Sequence, residues 1–183
     1  LCESELIEIV RAFRSSNTNI VKLWNTVEKA FIEAVNNKSI VHIDKNISFI
    51  YEGNILFIKL PSGRRLSYIR PKIDYNNAFN KSVISYEGVD STTKKNTRLT
   101  TYGGKLVENI VQAIARDVLG EAMMNLRNKG FNIVMHVHDE IVLEVENGVS
   151  SVEKVVEIMC EENRYLKGLK LRADGFESNY YKK

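Results

Sequence analysis

Between Tyr102 and Asn128 the chain has no proline, and beyond the Gly103-Gly104 pair its one glycine is Gly120. Val107, Ile110, Val111, Ile114, Val118, Ala122 and Leu126 recur through this stretch at three- and four-residue spacing. That periodicity marks the buried stripe of an amphipathic helix. At 1.5 Å per residue the helix is about 40 Å long. Lys129-Gly130 closes it, with a glycine suited to the left-handed cap. An element of this length cannot bury its apolar side alone, so the remaining residues must supply the surface it packs on.

The flanking segments show two periods. Leu6, Ile7, Val10 and Phe13 predict a helix over 3–14, stopped at Ser15-Ser16-Asn17. Ile20, Val21, Leu23, Trp24, Val27, Ala30, Phe31 and Ala34 predict a second over 19–35, ended by Asn36-Asn37-Lys38. The period then falls to two. Residues 40–43, 47–51, 55–58 and 66–69 read as strands, with turns at Glu52-Gly53-Asn54 and Pro61-Ser62-Gly63. Residues 71–81 read as a loop and 83–88 as a short strand. After the long helix, 133–137 and 141–145 read as strands around His138-Asp139-Glu140, and 152–160 as a short helix. Residues 169–173 and 176–181 read as closing strands. The fold class is α+β: an antiparallel sheet with an acidic hairpin, packed against long helices.

Composition removes several classes. Of 183 residues, 44% are hydrophobic and 27% charged, the balance of a globular protein. No apolar run reaches the roughly 18 to 20 residues of a membrane span, and no signal-peptide pattern opens the chain. The two cysteines, Cys2 and Cys160, lie far apart, so a cysteine zinc site or disulfide framework is not expected and a reducing cytoplasm fits. The net charge of +3 hides a gradient. Residues 1–60 balance at zero, 61–105 carry nine basic against three acidic residues, and 106–183 carry ten against thirteen. A basic middle can face phosphate or simply be solvated. The chain opens Leu1-Cys2-Glu3 without an initiator methionine, which raises the expectation of a fragment.

Three groups of residues can carry chemistry. In Val137-His138-Asp139-Glu140 two adjacent carboxylates occupy a turn between apolar strands. Hard oxygen ligands of this type suit Mg²⁺, although one pair cannot hold two ions. His136 and His138, two apart on a strand, would share a face and could form an imidazole metal site with Asp139. On the long helix, Lys105, Asn109, Gln112 and Arg116 are spaced by four, three and four, which places two cations and two amides on one side. The cations suit phosphates and the amides suit minor-groove acceptors, and a solvated helix face has the same pattern. Arg64 and Arg65 follow the tight turn at Gly63 and suit either phosphate contact or the blunting of an edge strand. Tyr102-Gly103-Gly104-Lys105 lacks the spacing of a nucleotide P-loop.

In this order, these features resemble the C-terminal part of DNA polymerases of the polymerase I family (family A), in its phage-encoded branch. Residues 102–117 are similar to the helix that follows the primer–template minor groove. Val137-His138-Asp139-Glu140 is similar to the third catalytic motif, and Leu60-Pro-Ser-Gly-Arg-Arg-Leu66 to the Gly-Arg-Arg turn. Residues 17–24 and 171–181 resemble further phage-branch segments, so the likeness covers nearly the whole chain. It implies that Asp139, with Glu140 beside it, is a catalytic and metal-binding carboxylate for two Mg²⁺ ions. It implies that His138 packs by the primer end and that Gln112 contacts the minor groove, with Asn109, Lys105 and Arg116 on the same side. Arg64 and Arg65 would meet primer phosphates.

The implied partners are primer–template DNA and deoxynucleoside triphosphates, with no membrane, in the cytoplasm of a bacterial host. The implied division is 1–38 as helices following the fingers and 39–183 as part of the palm. Within the palm, 39–90 is β-rich, 102–129 is the DNA-facing helix, 133–145 the catalytic hairpin and 150–183 the closing segment. The family's other catalytic aspartate and its nucleotide-gripping Lys/Tyr helix have no counterpart here, so the expectation is a fragment that is inactive alone. The alternatives are a non-catalytic nucleic-acid-binding module on residues 61–116 and a His/Asp metalloenzyme.

Overall fold

A computed structural model describes residues 3–76 and 81–182. The described residues form an α+β protein with four helices, a six-stranded antiparallel sheet and a separate two-stranded sheet. The chain divides into two units, Leu1–Gln112 and Ala113–Lys183. No helix among the described residues is long and apolar enough to cross a membrane.

In the first unit, α1 (Glu3–Ser16) and α2 (Thr18–Asn37) precede a simple meander. Its strands are β1 (Ile40–His42), β2 (Ser48–Glu52), β3 (Ile55–Lys59), β4 (Arg65–Asn76), β5 (Lys81–Val89) and β6 (Asn96–Thr101). Helix α2 ends because Lys38 turns left-handed, at φ +48°, and returns its N–H to the Ala34 carbonyl. Val27, Ala30, Phe31 and Ala34, one helical face, are buried. Phe31 meets Phe49 and Tyr68 edge-on at 6.3 and 5.4 Å, and Tyr68 meets Tyr86 at 5.0 Å. These rings, with Leu56, Ile58 and Ile84, form the core between helix and sheet. The β2–β3 hairpin turns on Gly53 and Asn54, both left-handed at φ +57° and +63°. That is the type I′ pattern, whose twist matches the strands it joins. Helix α1 is less settled: Leu6, Ile7, Ile9, Val10 and Phe13 each remain about half exposed.

Helix α3 (Gly103–Asn128) realises the long element, with a difference. Its buried residues are Leu106, Val107, Ile110 and Ala113 in the first half, and Leu119, Ala122 and Leu126 in the second. At about 100° per residue the second set is rotated by about half a turn from the first. One continuous stripe therefore does not describe the helix, and Val111, expected to be buried, is 56% exposed.

The second unit holds the rest of α3, then β7 (Asn132–Val137), β8 (Glu140–Glu144) and α4 (Val152–Met159). Ser151 caps α4 by accepting from the Lys154 N–H. The segment after α4 is tied down by buried Asn163. Its amide donates to Glu121, and its carbonyl accepts from the Tyr165 and Leu166 N–H groups at 2.9 and 3.1 Å.

Two sequence expectations are corrected, and one strand is added. Residues 71–76 continue β4 instead of looping, paired with β5. Pro71 sits where the register shifts between Ile69 and Lys72, beside left-handed Arg70 at φ +43°. A bulge is a place where a strand tolerates proline. The rest of the predicted loop, 77–80, lies outside the described residues. Asn96–Thr101, to which the periodicity assigns no element, is strand β6. Residues 169–173 and 176–181 form no strand, because no neighbouring strand pairs with them.

Candidate nucleic-acid interface and acidic turn

The acidic turn is a two-residue hairpin. Val137 pairs with Glu140, which leaves His138 and Asp139 as the turn. His138 has φ +53°, while Asp139 is not left-handed. A positive φ at a hairpin turn residue is a position where glycine is the usual occupant. Histidine tolerates this region better than most side chains, yet it is still strained there. The hairpin therefore holds His138 in a conformation its own backbone disfavours.

Asp139 and Glu140 are both exposed. Asp139 makes no hydrogen bond or ion pair with another described residue. Glu140 accepts from the Tyr181 hydroxyl at 3.3 Å. Two adjacent exposed carboxylates fit the habit of Mg²⁺, which keeps several waters and takes one or two carboxylates beside phosphate oxygens. Among the described residues no group of three or more His, Cys, Asp or Glu gathers into a metal site. The shared face expected for His136 and His138 is not formed: His136 is on β7, but His138 has left the strand for the turn.

The polar side of α3 is present, and its members differ in how far they are spent. Gln112 and Arg116 are exposed. The Lys105 ammonium meets both Glu108 oxygens, at 2.9 and 3.0 Å, and this bond with its charge raises the lysine pKa. The pair lies in solvent, so salt screens it and it adds little stability. Asn109 is half-buried, and its amide donates to the Tyr68 hydroxyl at 3.0 Å. Burial lifts the Tyr68 pKa, and the Asn109 hydrogen bond partly opposes that shift. In this structure the Asn109 amide is thus turned to the core, and Gln112 is the amide of the set presented to solvent. Arg116 lies with Nη1 and Nη2 at 3.3 and 3.2 Å from Nδ1 and Nε2 of His136.

The start of α3 explains the glycine pair. A Cβ on Gly103 would stand 2.2 Å from the Trp24 carbonyl oxygen, so only glycine lets the helices approach. The Gly103 N–H donates to a Glu28 carboxylate oxygen at 2.6 Å. The anion at this helix N-terminus is thus a side chain of α2.

Arg64 and Arg65 are exposed at the start of β4. Arg65 pairs with Glu52 at 3.6 Å and lies over the Phe57 ring at 5.5 Å. Elsewhere in the basic segment, Arg70 and Arg98 share Glu87 at 3.0 and 3.2 Å. Arg65, Arg70 and Arg98 are thus each paired with a carboxylate.

The contacts that sequence reasoning missed are Tyr68 to Asn109, His136 to Arg116 and Tyr181 to Glu140. Each joins residues 20 to 41 apart in sequence. Only the Lys105–Glu108 pair, three apart on a helix, carried a local signal.

Comparison with known proteins gives one informative match. No family model matches the chain, and no solved structure matches it. Over all 183 residues the chain is 51% identical to a DNA polymerase of Bacillus phage SP02. The chain spans 28% of that protein's length.

Proposed function

We propose that these residues form part of a template-directed DNA polymerase of family A, contributing a portion of the palm. The observation that carries the DNA-polymerase part of this reading is the 51% identity over all 183 residues to a phage DNA polymerase, and the motif resemblance supports the family and the palm. The geometry supports it: a strained turn that presents Asp139 and Glu140, and a helix side that presents Gln112 and Arg116.

In this reading the primer 3′-hydroxyl attacks the α-phosphorus of the incoming deoxynucleoside triphosphate, and pyrophosphate leaves. Asp139, with Glu140 beside it, would hold Mg²⁺, which would lower the hydroxyl pKa and neutralise charge on the phosphates. Glu140 is oriented by Tyr181. His138 packs by the primer end. Gln112 donates its amide to minor-groove acceptors that every base pair shows, which checks pair shape rather than sequence. Lys105, Arg116, Arg64 and Arg65 neutralise backbone phosphates. Asn109 ties α3 to the core by donating one N–H to Tyr68. One carboxylate pair does not hold two ions, so the reading requires a further acidic residue from outside these residues.

The test is an exchange. Residues 1–183 should replace the matching segment of the SP02 phage polymerase with retention of primer extension, while the 183-residue chain alone should extend no primer. A well-folded but inactive chimera, or extension by the chain alone, would contradict the proposal.

A further inference from the structure

Arg116 differs from four other cations on these surfaces in what it meets. Lys105, Arg65, Arg70 and Arg98 each meet a carboxylate. Arg116 forms no ion pair among the described residues, and its guanidinium instead faces the imidazole of His136 nitrogen for nitrogen. An imidazole with one ring proton accepts at one nitrogen only, so at most one of these contacts is a hydrogen bond. A guanidinium has five N–H groups. Most of them therefore have no protein acceptor among the described residues, and the positive charge meets no carboxylate there. A fixed planar fork of this kind matches paired oxygens of a phosphate.

The hairpin sets the position of His136. The register of β7 and β8 shifts between Ile133 and Met135, so Val134 is an extra residue on β7. A one-residue insertion reverses the faces of all residues beyond it. His136 then pairs with Ile141, three residues before Asp139. The imidazole that meets Arg116 is thus carried on the strand that ends in the acidic turn.

We propose that His136 is a positioning residue: it clamps the Arg116 guanidinium beside the acidic hairpin as a phosphodiester-binding group. The proposal rests on reading this part of the chain as DNA-facing. His136 acts through Arg116 and need not touch DNA. A long side chain loses rotamer freedom when it binds, and the clamp removes part of that loss beforehand.

Two measurements on the 183-residue chain test it. The first needs no DNA: the imidazole ¹⁵N resonances of His136 should move in Arg116→Ala and stay in place in Lys105→Ala. The second is duplex affinity by fluorescence anisotropy across a salt series. Arg116→Ala should weaken binding about fivefold and make the log–log salt slope shallower by about one. His136→Ala should weaken binding about threefold, and His136→Gln, which keeps an acceptor, should recover most of that loss. The double variant should bind no more weakly than Arg116→Ala alone, because the histidine has no effect without its arginine. Unmoved resonances, losses that multiply in the double variant, or His136→Ala indistinguishable from the parent would overturn the clamp. Absence of salt-dependent duplex binding by the parent chain would overturn the DNA-facing reading itself, and the proposal with it.

Discussion

Two hairpins in this chain have two-residue turns, and they are built to opposite specifications. In β2–β3 the left-handed positions hold Gly53 and Asn54, residues suited to them. Its strands carry Phe49, Leu56 and Ile58 into the core with no exposure, and each has a second strand neighbour. In β7–β8 the left-handed position holds His138, the following residue is an exposed aspartate, and one strand is bulged. Among the described residues its two strands pair only with each other, and Val134 and Met135 remain 52% and 38% exposed. A lone hairpin is marginal in water. The first hairpin is optimised for the fold. The second gives up local stability and leaves two adjacent carboxylates exposed at its turn.

That contrast can be tested first where the effect is largest. Phe31→Ala removes a fully buried ring from the helix–sheet core and should cost about 3–5 kcal/mol in denaturant unfolding. A cost under about 1 kcal/mol would mean the first unit is not held by its aromatic core. The turns come next. Gly53→Ala forces a Cβ into left-handed backbone and should cost roughly 1–2 kcal/mol. His138→Gly should cost nothing or stabilise by up to about 1 kcal/mol, because relief of strain offsets the added chain entropy. If both substitutions destabilise equally, the acidic turn is not strained and the contrast fails.

The smallest effect concerns pH. Burial raises the Tyr68 pKa above its ordinary value, so the folded state keeps its proton longer than the unfolded chain. Stability from this group is complete below the unfolded value, near 10, and is lost as pH rises through the folded one. Tyr68→Phe should flatten that part of the alkaline stability profile. An unchanged profile would show that Tyr68 ionises alike in both states.

The elements that residues announce locally are the ones sequence periodicity finds. Helix α2 follows from its one-faced apolar spacing, the β2–β3 turn from Gly53-Asn54, and the acidic hairpin from two apolar runs around His138-Asp139-Glu140. Strand β6, Asn-Thr-Arg-Leu-Thr-Thr, has no apolar alternation and is a strand because β5 offers it partners. The burial of α3 was misread because a single stripe was extended over a helix whose halves bury different sides. At the candidate site, residue type and spacing single out Asp139, Glu140, Gln112 and Arg116 as candidates, and all four are exposed. They do not reveal that Asn109 serves Tyr68 or that His136 holds Arg116, since those bonds join residues distant in sequence.

Asp139, exposed and without a hydrogen-bond or ion-pair partner among the described residues, is the central group of the proposed metal site. The direct measurement is primer extension and duplex affinity of the SP02 chimera carrying Asp139→Asn. The account predicts a fall in extension rate on the order of a thousandfold, from loss of transition-state charge stabilisation. Duplex affinity should stay within about twofold, because an exposed carboxylate that meets no DNA phosphate adds no binding. Extension near the parent rate, or a duplex affinity that falls as far as the rate does, would contradict it.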